Sequence, residues 1–103
     1  MIAVIFKFKL PSGIKRDEVI SKFEHNLSRW TDNPDLLRKS FIVNIDKLIA
    51  GVIYVWKEKI NSDIWLGAEF KKMVRDNFGA EPILECFETP IVVDNLAGNI
   101  SKE

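Results

Sequence analysis

Leu48-Ile-Ala-Gly-Val-Ile-Tyr-Val-Trp56 carries no charge in nine residues, and β-branched and aromatic side chains dominate it. A run this short and apolar reads as a buried strand rather than a helix. Side chains alternate across a strand, so Ile49, Gly51, Ile53 and Val55 share one face, and Ala50, Val52, Tyr54 and Trp56 the other. Neither face suits water, so this strand requires cover on both sides.

The segments around it supply only part of that cover. Ile2 to Leu10 alternates, with Ile2, Val4, Phe6, Phe8 and Leu10 on one face and Ala3, Ile5, Lys7 and Lys9 on the other. Pro11-Ser12-Gly13 ends this first strand with turn chemistry. A helix is expected from about Lys15 to Trp30, with Asp17 and Glu18 in its first turn, where the helix dipole favours acids. Val19, Phe23, Leu27 and Trp30 form its buried stripe, with Ile20 beside them. Lys22, Glu24, His25, Ser28 and Arg29 take its wet side, and Asp32-Asn33-Pro34 stops it. Leu36 to Ile45 is the second strand, joined to the nine-residue strand by an antiparallel hairpin turning at Asp46-Lys47. A second helix is expected over about Asn61 to Asn77, capped by Asn61 or Ser62. Leu66, Phe70, Met73 and Val74 form its stripe, with Trp65 at the edge and Gly79 closing it in the left-handed conformation. Ile83 to Phe87 is the fourth strand, and Ile91 to Val93 a short extended piece before a polar tail.

The order β-α-β-β-α-β predicts an α+β, ferredoxin-like antiparallel sheet with both helices on one face, in one domain covering residues 1–103. Alternation assigns the faces of the two central strands. The aliphatic set Ile49, Ile53 and Val55 suits the helices, with Gly51 allowing close approach. Val52, Tyr54 and Trp56 then join Ile5, Lys7 and Lys9 on the uncovered face. Each large apolar side chain there is worth roughly 1.5–3 kcal/mol when buried, and an exposed patch of this kind marks an interaction surface. A second copy related by a two-fold axis is the simplest cover. The expectation is an obligate homodimer whose two sheets enclose a pocket.

Composition narrows the function. The 103 residues hold 15 basic and 15 acidic side chains, a formal net charge of zero. That lacks the electrostatic footprint of a nucleic-acid or anionic-membrane binder. No run approaches the length of a membrane span, and the first ten residues read as a strand rather than a signal peptide. The single Cys86 cannot close an internal disulfide, which suits a reducing cytoplasm; in a strand it reads as inert buried filler. One histidine and one cysteine give no zinc ligand set, and the scattered glycines make no phosphate loop or dinucleotide fingerprint. Composition and spacing give a pocket without a reaction.

Four stretches carry a resemblance. Pro34-Asp-Leu-Leu-Arg-Lys-Ser-Phe-Ile-Val43, Ala50-Gly-Val-Ile-Tyr-Val-Trp-Lys-Glu-Lys59, Phe78-Gly-Ala-Glu-Pro82 and Val92-Val-Asp-Asn95, with the Trp65 helix between the second and third, resemble the YdhR-like monooxygenases of the dimeric α+β barrel superfamily. The resemblance implies a homodimer and a monooxygenase that oxidises an aromatic or polycyclic phenol with no metal, flavin or haem, the substrate anion supplying the electrons. It places Trp56 at the end of the third strand and Trp65 on the following helix in the site. Val52 stands where better understood relatives have an asparagine, a departure from the pattern. Haem-degrading relatives use a helical histidine, whereas His25 reads as solvent-facing on the other helix.

The expected site therefore has Lys7 and Trp56 as catalytic residues, with Ile5, Val52, Tyr54 and Trp65 binding an aromatic or apolar small molecule in a pocket between helices and sheet or between the two sheets of the dimer. Lys7 would stabilise the developing oxyanion. The competing expectation is a non-catalytic homodimer that binds a small ligand or is packed shut. An open cavity of a few hundred Å³ supports ligand binding, and a filled one does not.

Overall fold

The computed structural model describes residues 1–25 and 27–103, without the side chain of residue 29. Its elements run β1 (Ile2–Lys9), α1 (Arg16–Glu24), α2 (Ser28–Thr31), β2 (Leu36–Asn44), β3 (Ile49–Trp56), α3 (Lys59–Trp65), α4 (Ala68–Phe78), β4 (Ile83–Glu88), β5 (Ile91–Asp94) and β6 (Asn99–Lys102). β1 to β4 form one antiparallel sheet in the order β2-β3-β1-β4, an α+β arrangement compatible with a ferredoxin-like fold. No helix among the described residues is long and apolar enough to cross a membrane.

Each expected helix is two. The first is α1 and α2, with Glu18 accepting from the Lys15 amide at 3.3 Å across the first turn of α1. Of the expected stripe, Val19 and Trp30 are buried and Phe23 half-buried, but Leu27 is exposed. The wet-side expectation for Arg29 lies outside the described residues. In the second, α3 starts earlier than expected because Asn61 accepts from the Glu58 amide at 3.0 Å, making Glu58 the cap. Leu66 and Gly67 interrupt it, and α4 ends on Gly79 at φ 72°. Leu66, Phe70 and Val74 are buried as their spacing requires.

Register corrects the face assignment. Phe6 pairs with Val52, Val4 with Tyr54 and Ile2 with Trp56. Directly opposed residues share a face, so the even residues of β3 join the even residues of β1. That is the helix face: Val4, Phe6, Phe8, Val52, Tyr54 and Trp56 form one core with Val19, Trp30, Leu66, Phe70 and Val74. The odd set, Ile49, Gly51, Ile53 and Val55, lies on the other face beside Ile5 and Lys7. The aromatic half of β3, rather than its aliphatic half, is what the helices cover. Gly51 does permit a close approach, but to the neighbouring strand: a Cβ there would lie 1.9 Å from the Phe6 carbonyl oxygen.

The chain end also differs from a polar tail. β5 and β6 form an antiparallel hairpin separate from the main sheet. Asp94 Oδ1 accepts from the Leu96 and Ala97 amides at 3.0 Å each, and Gly98 at φ 71° completes the turn. The Glu103 amide donates to the Pro90 carbonyl at 2.8 Å and Thr89 to that of Met1 at 3.0 Å, tying the hairpin to the start of β1. Ile91, Val93 and Ile100 are exposed, and Val92 is half-buried.

Candidate functional site

The helix face of the sheet is a ladder of cross-strand rows. Phe8 lies beside Ala50 and Val43, Phe6 beside Val52 and Phe41, Val4 beside Tyr54 and Lys39, and Ile2 beside Trp56 and Leu36. Helices roof these rows unevenly. Phe70 of α4 meets Phe6 at 5.2 Å between ring centroids, Phe78 meets Phe8 at 4.3 Å, and Phe23 of α1 meets Phe41 at 4.7 Å. Between them remains a cavity of about 310 Å³. Its walls are Phe6, Phe8, Phe41, Val52 and Tyr54 from the sheet, Phe23 and Trp30 from α1 and α2, and Phe70, Met73, Val74 and Phe78 from α4. Aromatic side chains dominate because three strands and three helices each turn a ring into the same space.

Four polar residues other than Tyr54 line it: Lys22, His25, Lys39 and Asn77. Lys22 and His25 are three apart at the end of α1 and both exposed, so they form the rim. Lys22 donates from Nζ to the Asn77 carbonyl at 3.1 Å and lies 5.4 Å from the Phe78 ring centre. Lys39 is half-buried and turns inward. Its Nζ lies 3.7 Å from the Trp30 ring centre, 4.6 Å from that of Phe41 and 5.0 Å from that of Tyr54. An ammonium held against aromatic faces is stabilised by their quadrupoles, most strongly by Trp. No acidic side chain lines the cavity among the described residues.

The expected site residues separate into three groups. Val52 and Tyr54 line the cavity, on the helix side of the sheet rather than between two sheets. Trp56 and Trp65 stand behind its wall. Trp56 is fully buried and stacks on Tyr54 at 5.7 Å and 20°, and Trp65 packs on Trp30 at 5.9 Å. Ile5 and Lys7 lie on the opposite face, with Lys7 exposed. The sheet itself therefore separates the Lys7 ammonium from the aromatic wall it was expected to serve.

Other expectations change in smaller ways. His25 is exposed as expected, yet it borders the cavity. Cys86, expected as buried filler, is exposed on the edge strand β4. On the same strand Glu85 and Glu88 lie on opposite faces, opposite Ile5 and Ile2 respectively, and do not make a carboxylate pair. Among the described residues no three His, Cys, Asp or Glu side chains converge as a metal site would require.

Sequence reasoning missed Lys39 and Trp30 as site residues. Lys39 sits between Arg38 and Ser40 on an edge strand, where a lysine reads as solvated, and Trp30 read as plain core. The available signal was that Lys39 occupies the same alternation class as Phe41, the one inward ring of β2. The geometry provides a roofed aromatic cavity with a cation against its wall, suited to holding a planar apolar molecule away from water. No family model matches this sequence, and no curated protein is significantly similar to it.

Proposed function

We propose that this chain is a YdhR-like, dimeric α+β barrel protein that acts as a cofactor-independent monooxygenase on an aromatic, readily ionised phenolic molecule held in the helix-side cavity. The observation that carries the reading is the cavity itself: about 310 Å³, walled by rings from β1, β2, β3, α1, α2 and α4. A packed-shut core would leave no such space.

The chemistry asks little of the protein. A phenolic substrate loses a proton, and its anion delivers electrons to dioxygen. For a ring methylene, CH₂ plus O₂ gives C=O plus H₂O: one oxygen atom enters the product, the other leaves as water, and the substrate supplies all four electrons. The protein must bind the ring system, favour its anion and exclude water. Phe6, Phe41, Tyr54 and Phe70 provide stacking surfaces, and the helices above them keep bulk solvent from the reacting carbon. Lining by basic groups without an acidic one among the described residues favours the anion. Trp56 has no place in these steps; it holds Tyr54 in position from behind.

The dimer belongs to the same proposal. The outer sheet face carries Ile5, Ile53, Val55, Ile83 and Phe87, with Ile83 and Phe87 well exposed. A second copy would cover this surface back to back, with the exposed hairpin β5–β6 free to grip it. The two cavities then lie on the outer sides of the joined sheets and not at the interface. Titrating a polycyclic phenol against the protein while recording the methyl resonances of Val52, Val74 and Met73 tests the reading. Saturable shifts of these three support it, and an unresponsive cavity contradicts it.

A further inference from the structure

We infer that the cavity takes an organic anion with an aromatic body, and that Lys39 is the counter-ion to its acidic group. This deepens the small-molecule reading above and rests on it. The oxidation needs a cation near the substrate anion, and Lys7 lies on the other side of the sheet. Lys39 is on the right side. It occupies the Val4–Tyr54 row, directly opposite Tyr54, and its Nζ stands inside a box of Trp30, Phe41 and Tyr54.

Three features point to an anion rather than a neutral or cationic guest. First, a guest stacked on Phe41 or Tyr54 lies beside the Lys39 ammonium, because both rings are walls of the cavity and sides of the lysine's box. Second, the ammonium is half-buried against rings, where an opposite charge is screened far less than in water. Third, the lining holds Lys22 and Lys39 and no acidic side chain among the described residues, so an anionic guest finds ammonium partners there and a cationic guest finds no carboxylate. The class is thus a planar aromatic carrying a phenolate, carboxylate or sulfonate. Its acidic group sits at the Tyr54 end and its rings run toward Phe8. That run is four residues of β1, roughly 13 Å at about 3.3 Å per residue, which accommodates two or three fused rings.

The test compares two probes with the same rings, anilinonaphthalene sulfonate and the uncharged phenylnaphthylamine, by fluorescence titration of the full chain. Methyl resonances of Val52, Val74 and Met73 report binding in the cavity, and that of Ile53 reports the outer face. The expected result is cavity binding of both, with the sulfonate tighter by roughly ten- to a hundredfold, the range of a charge-assisted hydrogen bond out of bulk water. Lys39→Met abolishes that preference while leaving phenylnaphthylamine binding unchanged, and Lys39→Arg retains it. Lys7→Met, altering an exposed charge on the opposite face of the sheet, changes it by less than roughly twofold. Equal affinities for the two probes, or a preference that survives Lys39→Met, would overturn the anion inference and leave the aromatic cavity standing. Failure of both probes to move the cavity methyls would overturn the cavity reading and this inference together.

Discussion

Replacing Trp56 separates a structural tryptophan from a catalytic one. The side chain is fully buried, stacks on Tyr54, and its Nε1–H has no hydrogen-bond partner among the described residues. Trp56→Ala removes a large ring from a packed core and costs about 3–5 kcal/mol. Against a total stability of roughly 5–15 kcal/mol for a domain of this size, that is about a fifth of the whole at the least. Trp56→Phe keeps a ring on Tyr54 and deletes the indole N–H. A buried unpaired donor costs about 1–3 kcal/mol, so its removal offsets most of the volume lost, and the net change should stay within about 1 kcal/mol. Urea denaturation followed by far-ultraviolet circular dichroism reads both, as shifts in midpoint at constant slope. Because Trp56 stands behind the cavity wall, Trp56→Phe should also bind phenylnaphthylamine as the parent does. A phenylalanine variant as unstable as the alanine one would mean that the indole N–H is satisfied. A variant stable but unable to bind would return Trp56 to the site.

The outer face gives a second test: Ile53→Lys should yield a folded monomer at low micromolar concentration by sedimentation, where the parent sediments as a dimer. A dimeric variant, or a monomeric parent, would remove the back-to-back arrangement. Val52→Asp, one residue away but on the helix face, should instead unfold the chain, since it buries an unpaired carboxylate among rings; circular dichroism distinguishes the two outcomes. Gly51→Ala should destabilise by more than roughly 1 kcal/mol, because its Cβ would collide with the Phe6 carbonyl, and a neutral effect in thermal melting would show that β1 and β3 are not so closely paired. Gly79→Ala, at φ 72° with open space around it, should cost about 1 kcal/mol through backbone strain alone; an unchanged melting temperature would contradict the left-handed helix end.

The sequence was most legible where charge labelled a face. Lys7 and Lys9 mark the wet side of β1, so Val4, Phe6 and Phe8 could be assigned inward from alternation alone. β3 has no such label. Both its faces are apolar, and the choice between them rests on register with β1, which alternation in one strand does not contain. Judging by shape favoured the aliphatic face for the helices, whereas the pairing of Phe6 with Val52 puts the aromatic face there. That one inversion moved Tyr54 and Val52 from an interface to a cavity and separated Lys7 from both. The helices were legible as buried stripes but not as breaks: Leu66-Gly67 is a short interruption inside a continuing period. Lys39 was illegible for a different reason. On an edge strand a lysine is ordinarily solvated, and here the Trp30 ring, arriving from α2, lies over it. The last hairpin did carry a signal, since Asp94-Asn-Leu-Ala-Gly98 has the composition of a turn. The strand after it is four residues with a single large apolar side chain, too little to read as one.

Oxygen uptake tests the central claim most directly. Metal-stripped, flavin-free protein is placed in an oxygen electrode with a polycyclic phenol bearing an acidic group, and consumption is followed against substrate concentration. The account predicts saturable uptake of one dioxygen per substrate, with KM raised roughly ten- to a hundredfold by Lys39→Met, and full activity in Lys7→Met. Uptake that requires added flavin or iron, or that falls with Lys7→Met and not with Lys39→Met, would contradict it.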